Sequence, residues 1–445
     1  MPSSEEVGSR PKLSPRLAVV AVCFAAIVFD GYDLIVYGAV VPALLEHPEW
    51  TLTPQQAGMI GSYALIGMFL GAVAVGAVTD RIGRRRTLIG CLVWFSVATL
   101  LVAVAPSPEL LGALRFLAGL GFGGVVPTAI TLTVEWAPER HRSFYNALML
   151  TGFPVGGVLA AVLAVWLLPE YGFRVLFALG GVPLVTVVPL ALRFLPESPG
   201  FATLRERRAR QGGARPGTPP QEAPRARITS GRALAAIVLF ALANFCSMLL
   251  VYGLNTWLPE LMRGAGYALG PAMAFLLVLN FGAVVGGLVG SSVADRFGSR
   301  AATTGAFVVA AASILALGLP LPTAVLYLLV AIAGAATIGT QMMLFGYVAL
   351  SFPTANRATA LGHTTGVGRL GGVCGPLLGG YIVALQLGLG WNFGIFAAIA
   401  VAAAMLTLVV PAPDRSGAVG EGTDEPGTPA VHDHGGPSPS ESVPS

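Results

Sequence analysis

Twelve long apolar runs, separated by short polar segments, make up most of the chain. Each run is close to 20 residues or longer, the length that an α-helix needs to cross the hydrocarbon core of a bilayer. Because lipid cannot pair backbone N–H and C=O groups, such runs are expected to be helices. The predicted spans are 17–41, 57–79, 87–105, 109–134, 144–168, 173–194, 233–257, 271–294, 301–319, 323–351, 358–385 and 391–411. The pattern therefore predicts an all-α membrane protein with twelve transmembrane helices.

The composition excludes several other classes of protein. Of the 445 residues, 55% are hydrophobic and 11% are charged, against about 25% charged in soluble domains. The net charge is +4, but the basic residues lie between the spans, so no nucleic-acid surface is predicted. The four cysteines each lie alone within an apolar run. We therefore expect no metal site and no cofactor.

The distribution of Lys and Arg predicts how the chain is oriented. Most of the 26 basic residues fall on the side of the amino terminus, which the positive-inside rule places in the cytoplasm. The expected organisation is a cytoplasmic amino-terminal segment, a six-helix half, a cytoplasmic linker, a second six-helix half and a disordered cytoplasmic tail. Their bounds are 1–16, 17–195, 196–232, 233–412 and 413–445. The expected location is the inner (plasma) membrane.

An internal repeat relates the two halves. One offset of 215 residues, the distance from Tyr37 to Tyr252, aligns identical residues throughout the halves. Gly67 aligns with Gly282, and Gly119 aligns with Gly334. Parallel repeats of this kind place a substrate site near the midplane between the halves.

Two acidic residues lie inside the first apolar run, in the stretch Phe29-Asp30-Gly31-Tyr32-Asp33. Asp30 falls about 20 Å along a segment of about 37 Å, close to the bilayer midplane. A carboxylate at that depth costs at least about 2.5 kcal/mol, so it is expected to face the protein interior or a water-filled cavity. The spacing places both acids on one helix face, where they cannot both ionise cheaply. We expect Asp30 and Asp33 to carry a coupling proton; the alternative is a structural ion pair with a buried arginine.

Two arginines also lie within predicted spans, Arg115 in the fourth and Arg369 in the eleventh. A guanidinium stays charged, and its planar fork matches a carboxylate. Arg369 is therefore expected to bind an organic anion, whereas for Arg115 anion binding and acid pairing remain equal alternatives. Asn255 and nearby aromatic residues such as Tyr252 could add polar contacts and stacking faces, although aromatic residues in membrane helices usually serve packing.

The loop from Gly76 to Arg86 joins the second and third spans, and it resembles the signature that the major facilitator superfamily carries at this place. Its arginines can face anionic headgroups, and Asp80 at a helix end can accept from a neighbouring helix terminus. A purely topogenic basic loop would explain the arginines but not Asp80 or Gly83. The second half repeats the pattern as Asp295-Arg296-Phe297-Gly298. We predict a conformational gate composed of Gly76, Asp80, Arg81, Gly83, Arg84, Arg142, Asp295 and Arg296.

The stretch Asp30-Gly31-Tyr32-Asp33 resembles the signature of the aromatic acid:proton symporter family within that superfamily. Residues 115–121, 252–259 and 353–369 agree with it, so the resemblance covers nearly the whole chain between the tails. It implies the major facilitator fold and adds Tyr32 to the substrate-binding candidates Arg369, Arg115 and Asn255. The chain departs from the family at Thr128, where Asn is usual, and at His363, where Trp is frequent.

These observations predict a secondary active transporter that imports an aromatic carboxylic acid, such as benzoate or a hydroxybenzoate, by proton symport. The alternative is proton-coupled efflux of drugs or organic anions, but Gly152-Phe153-Pro154 lacks the Gly-Pro order of such antiporters. An enzyme is not expected, because the sequence shows no buried nucleophile with a base. A sensor without transport is the least favoured alternative. The expected partners are the aromatic carboxylate, protons and the lipid bilayer, without nucleic acid, around a monomer.

Overall fold

Apolar composition decides the secondary structure, because in lipid each backbone group must be paired within its own segment. The computed structural model describes residues 15–138, 141–201, 203, 231–352 and 354–411. The helices are α1 (Pro15–Leu45), α2 (Pro54–Ile82), α3 (Arg84–Val102), α4 (Pro108–Trp136), α5 (Arg142–Leu150), α6 (Gly152–Tyr171), α7 (Phe173–Leu179), α8 (Val187–Phe194), α9 (Gly231–Gly264), α10 (Leu269–Phe297), α11 (Ser299–Ala316), α12 (Thr323–Ser351), α13 (Thr354–Ala384) and α14 (Leu389–Val409).

In the described part of the chain these helices give twelve segments long and apolar enough to cross a membrane. The fifth segment combines α5 and α6, and the sixth combines α7 and α8 around a 3₁₀ turn at Val182–Leu184. The predicted all-α fold with twelve spans is confirmed, and the chain is a multi-pass membrane protein. The expected segments 1–16, 196–232 and 413–445 lie wholly or largely outside the described residues.

Helix packing follows the internal repeat. In the first half α2 packs on α4 and α1 packs on α6, while in the second half α10 packs on α12 and α9 packs on α13. The halves meet through two equivalent pairs, α2 with α13 and α6 with α10, and through α1 with α9. The contacts therefore have the approximate two-fold symmetry that two copies of one six-helix unit produce.

Repeated glycines allow these helices to pack closely. A Cβ atom on Gly67 would lie 2.2 Å from the carbonyl oxygen of Phe116 on α4. At the equivalent position of the second half, a Cβ on Gly282 would lie 2.0 Å from the carbonyl oxygen of Ala331 on α12. In membranes small residues let backbones approach, so van der Waals contact can replace the hydrophobic driving force.

The two halves are in close contact at one end of the bundle. This is the end where α1 finishes and α2 begins, and we call it the closed end. A Cβ atom on Gly58 would lie 2.6 Å from the carbonyl oxygen of Pro376, and the Ser62 hydroxyl donates a hydrogen bond of 2.7 Å to the carbonyl of Val373. Glu46, which follows α1, forms an ion pair with Arg263 near the end of α9.

At the other end, the basic end, Arg84, Arg85 and Arg86 begin α3, and three glycines of α2 and α13 lack such close contacts. Gly76 on α2 and Gly362 and Gly366 on α13 have no described atom within 4 Å of a Cβ position. Among the described residues, the close contacts between α2 and α13 at Gly58 and Ser62 therefore lie toward the closed end.

Candidate functional site

Asp33 is paired with Arg115 inside the first half. Nη1 of Arg115, on α4, lies 2.6 Å from Oδ2 of Asp33 and also donates to the Asp33 backbone carbonyl at 3.0 Å. Both side chains are about 1% exposed. The guanidinium lies over the rings of Tyr37 and Phe177, 5.2 and 5.9 Å from their centroids. Of the two alternatives for Arg115, the structure therefore shows acid pairing, with its charge enclosed by protein.

Asp30 lies one turn earlier on α1 and has different surroundings. Its side chain is 0% exposed, and neither carboxylate oxygen accepts a hydrogen bond from any described residue. Its electrostatic neighbours are Arg369, which is attractive, and Asp33, which is repulsive. A carboxylate buried without a hydrogen-bonding partner needs a counter-charge or a proton.

Arg369 supplies from the second half the positive charge that acts on Asp30. It lies on α13, is partly buried, and its Nη1 donates to the backbone carbonyl of Met68 on α2 at 3.3 Å. Its attractive neighbour is the carboxylate of Asp30. Opposite charges thus face each other across the interface between halves, where a carboxylate ligand could replace Asp30 as the partner of the guanidinium. Within the described residues, no group of His, Cys, Asp or Glu is placed to hold a metal ion.

Phe153 is a site residue that the sequence did not single out, whereas Tyr252 was among the aromatic residues expected to offer stacking faces. Tyr252, on α9, packs with Val373 against the apolar cluster of the first half that contains Leu34 and Met68. Phe153, on α6, packs against the same apolar cluster. The repeat aligns Tyr37 with Tyr252, so an aromatic position shared by both halves was the available signal for Tyr252.

Two of the expected substrate-binding residues have other contacts. Tyr32 is 1% exposed, and its hydroxyl donates to the backbone carbonyl of Leu176 at 2.7 Å. The side-chain oxygen of Asn255 accepts from Asn280 at 2.9 Å, and its amide donates to the Val251 carbonyl at 2.8 Å. The structure therefore does not bring these two side chains together with Asp30 and Arg369.

The expected gate residues lie at the basic end. Gly83 joins α2 to α3 with φ of +96°, and Gly298 joins α10 to α11 with φ of +83°, a region that glycine adopts without strain. Arg81, Asp295 and Arg296 are exposed, and the Arg84 guanidinium lies over the ring of Phe201, 5.8 Å from its centroid. Arg142 begins α5, and the Asp80 side chain lies outside what the structure describes.

Glu197 and Glu135 hold the basic end of the first half together. Oε1 of Glu197 accepts hydrogen bonds of 3.0 Å from the backbone N–H groups of Arg85 and Ser198. This places a negative charge at the amino terminus of α3, where the helix dipole favours it. The hydroxyl of Ser198 donates to Oε2 of Glu135 near the end of α4. The segment after α8 is thereby tied to α3 and α4.

Comparison with known families and proteins gives a consistent result. The sequence matches the family profile described as Major Facilitator Superfamily over residues 23–368 and 281–432. It is 41% identical to the gentisate transporter of Corynebacterium glutamicum over 89% of this chain and 87% of that protein. It is 35% identical to the benzoate transport protein of Acinetobacter baylyi, over 86% of this chain and 87% of the relative. The 4-hydroxybenzoate transporter PcaK of Pseudomonas aeruginosa is 34% identical, over 91% and 94%.

Solved structures share the fold at lower sequence identity. The crystal structure of a D-xylose-proton symporter superposes with a TM-score of 0.72 at 18% identity, covering 90% of this chain and 99% of that one. A bacterial homologue of the lysosomal transporter Spinster superposes with a TM-score of 0.66 at 17% identity, covering 91% and 96%.

Proposed function

This chain belongs to the major facilitator superfamily, and on that premise we propose that it imports an aromatic carboxylic acid with a proton by alternating access. The observation that carries the proposal is the buried Asp30 of the first half facing Arg369 of the second. A site shared by both halves changes its contacts whenever the halves rock. The relatives named as gentisate, benzoate and 4-hydroxybenzoate transporters support an aromatic carboxylate as the substrate.

Arg369 binds the substrate carboxylate in this proposal. Its guanidinium donates a 3.3 Å bond to the Met68 carbonyl and is attracted to Asp30. A carboxylate can accept two parallel N–H bonds from the guanidinium, an interaction stronger than a single bond to a neutral carbonyl. Binding of the substrate carboxylate to Arg369 is therefore favourable even though these contacts are lost.

Asp30 carries the coupling proton. As an anion it competes with the substrate carboxylate for Arg369, and as a neutral acid it releases the guanidinium. Proton binding and substrate binding therefore favour each other, which is the coupling that symport requires. Asp33 is the second acid of the coupling pair, and because Arg115 balances its charge, it sets the field at Asp30 rather than competing for the substrate.

The conformational cycle exchanges the open end for the closed end. The basic end is cytoplasmic in this proposal, because it carries the arginine cluster of residues 84–86. Gly76 and Gly362, which have no described atom within 4 Å of a Cβ position, then lie on the cytoplasmic side, and in this proposal the opening between the halves lies there. Closure of that space brings the gate residues Gly76, Asp80, Arg81, Gly83, Arg84, Arg142, Asp295 and Arg296 toward the opposite half. These residues act on the rate of rocking, since they lie away from Asp30.

Uptake of a panel of radiolabelled acids by cells overproducing the protein tests this function. Benzoate, gentisate and 4-hydroxybenzoate are compared with an aromatic amine and a sugar, with and without a protonophore. We expect saturable accumulation of at least one aromatic acid, which the protonophore abolishes. Net extrusion from preloaded cells would instead favour the efflux alternative, and accumulation indifferent to the protonophore would contradict proton coupling.

A further inference from the structure

Two aromatic side chains from different halves meet beside the charged pair. Phe153 on α6 and Tyr252 on α9 lie with ring centroids 6.4 Å apart and planes at 83°, an edge-to-face contact. Both side chains are partly buried. Because the two rings belong to different halves, their contact changes when the halves rock.

Glycines fix the position of each ring relative to the charges. A Cβ atom on Gly31, the neighbour of Asp30, would lie 2.1 Å from the carbonyl oxygen of Phe153, so α1 and α6 touch at this point. A Cβ atom on Gly372, one turn beyond Arg369 on α13, would lie 3.0 Å from the ring of Tyr252. A small acid whose carboxylate is held by Arg369 therefore has its ring within reach of both side chains.

The hydroxyl of the partly buried Tyr252 differs from those of the buried Tyr32 and Tyr37. The hydroxyls of Tyr32 and Tyr37 donate to the backbone carbonyls of Leu176 and Ala57. Tyr252 forms no hydrogen bond with any residue that the structure describes. Its phenol is therefore available to donate to, or accept from, a polar group on a ligand.

We propose that Phe153 and Tyr252 are the specificity-determining pair, with Phe153 contacting the aromatic ring and the Tyr252 hydroxyl selecting acids that carry a ring hydroxyl. This inference rests on the proposed function. A hydrogen bond from a phenol that the bound ligand covers rejects an analogue that lacks the matching hydroxyl, because the phenol is then left unpaired. The pair favours hydroxybenzoates over benzoate and any aromatic acid over a saturated cyclic acid.

The test measures inhibition of labelled gentisate or 4-hydroxybenzoate uptake by unlabelled gentisate, 4-hydroxybenzoate, benzoate and cyclohexanecarboxylate. In Tyr252→Phe we expect the preference for hydroxylated acids over benzoate to fall about three- to tenfold, the range that one hydrogen bond supports. In Phe153→Leu we expect the aromatic acids to weaken about fivefold while cyclohexanecarboxylate stays within twofold.

Matched controls separate this effect from loss of folded protein. Tyr327→Phe changes a tyrosine that stacks on Phe275, and Phe122→Leu changes a ring paired with Phe95 inside the first half; both should keep the wild-type ranking. Rankings are ratios, so membrane abundance does not alter them. A wild-type ranking in both Tyr252→Phe and Phe153→Leu would overturn the inference while leaving the proposed function intact. Wild-type protein that takes up none of the acids would overturn the proposed function and this inference with it.

Discussion

A substitution at Arg369 can show whether substrate binding depends on the positive charge alone or also on the hydrogen-bonding geometry of the guanidinium. Arg369→Lys keeps the positive charge opposite Asp30 but loses the planar fork that can bind both oxygens of a carboxylate. The half-saturation concentration for an aromatic acid should rise about tenfold or more, in line with charge-assisted hydrogen bonds. Competition by the amide of the same acid should stay weak in both proteins. Two results together would show that Arg369 does not bind the carboxylate. The acid and its amide would compete equally in the wild type, and the half-saturation concentration would not change in Arg369→Lys.

The Asp33–Arg115 pair predicts a stability effect with a characteristic rescue. Asp33→Asn leaves the fully buried Arg115 without its counter-charge, a loss of roughly 3–5 kcal/mol for buried pairs. The thermal midpoint of the purified protein should therefore fall in Asp33→Asn and recover largely in the double variant with Arg115→Gln. Glu46→Gln removes a partner from an exposed pair and should change the midpoint little. Equal losses in the single and double variants would assign the effect to packing rather than charge.

The chemistry of single residues could be predicted from the sequence, but their partners could not. Charges inside apolar runs are rare, so Asp30, Asp33, Arg115 and Arg369 were all identified. Whether Arg115 meets an acid or a ligand depends on the rotation of α4 about its axis, because Arg115 and Asp33 lie 82 positions apart. The pattern of apolar and polar residues does not determine how α4 is rotated about its axis. For the same reason the hydrogen bond between Asn255 and Asn280 was not foreseen.

Among the helices, hydropathy predicted number and type because the bilayer leaves few alternatives. The residues at which helices end or break could be predicted less well from hydropathy. α1 runs from Pro15 to Leu45, beyond the apolar run 17–41, since a helix can continue into the headgroup region. The sixth span breaks around Val182–Leu184, where Gly181 precedes Pro183 and a proline cannot donate to a helix ladder.

Close contact between α1 and α9 predicts an effect on the cycle. A Cβ atom on Gly38 would lie 2.0 Å from the Asn255 carbonyl oxygen, so Gly38→Ala pushes the two helices apart at the closed end. A penalty of about 1.4 kcal/mol would already reduce the population of this state about tenfold. Initial uptake rates should fall while membrane abundance stays constant. Gly305→Ala, which meets no described atom within 4 Å, is the control. Wild-type uptake in Gly38→Ala would show that this contact does not limit transport.

For the molecule as a whole, the proposed opening between the halves at the basic end predicts which surface is accessible. His363 lies on α13 toward the basic end and is exposed, and Tyr171, at the closed end, is 64% exposed. With the four native cysteines replaced, His363→Cys should react with an impermeant maleimide only in inside-out vesicles. Tyr171→Cys should react in intact cells. The reverse pattern would invert the orientation assigned from the arginines.

The central claim is that Asp30 couples proton movement to movement of the acid. The most direct test places the purified protein in liposomes, with protein-free liposomes to subtract diffusion of the neutral acid. Wild-type protein should accumulate labelled gentisate when an inward proton gradient is imposed. Asp30→Asn, which has the shape of the protonated acid, should exchange labelled for unlabelled gentisate but accumulate none. Gradient-driven accumulation by Asp30→Asn at the wild-type level would contradict the claim.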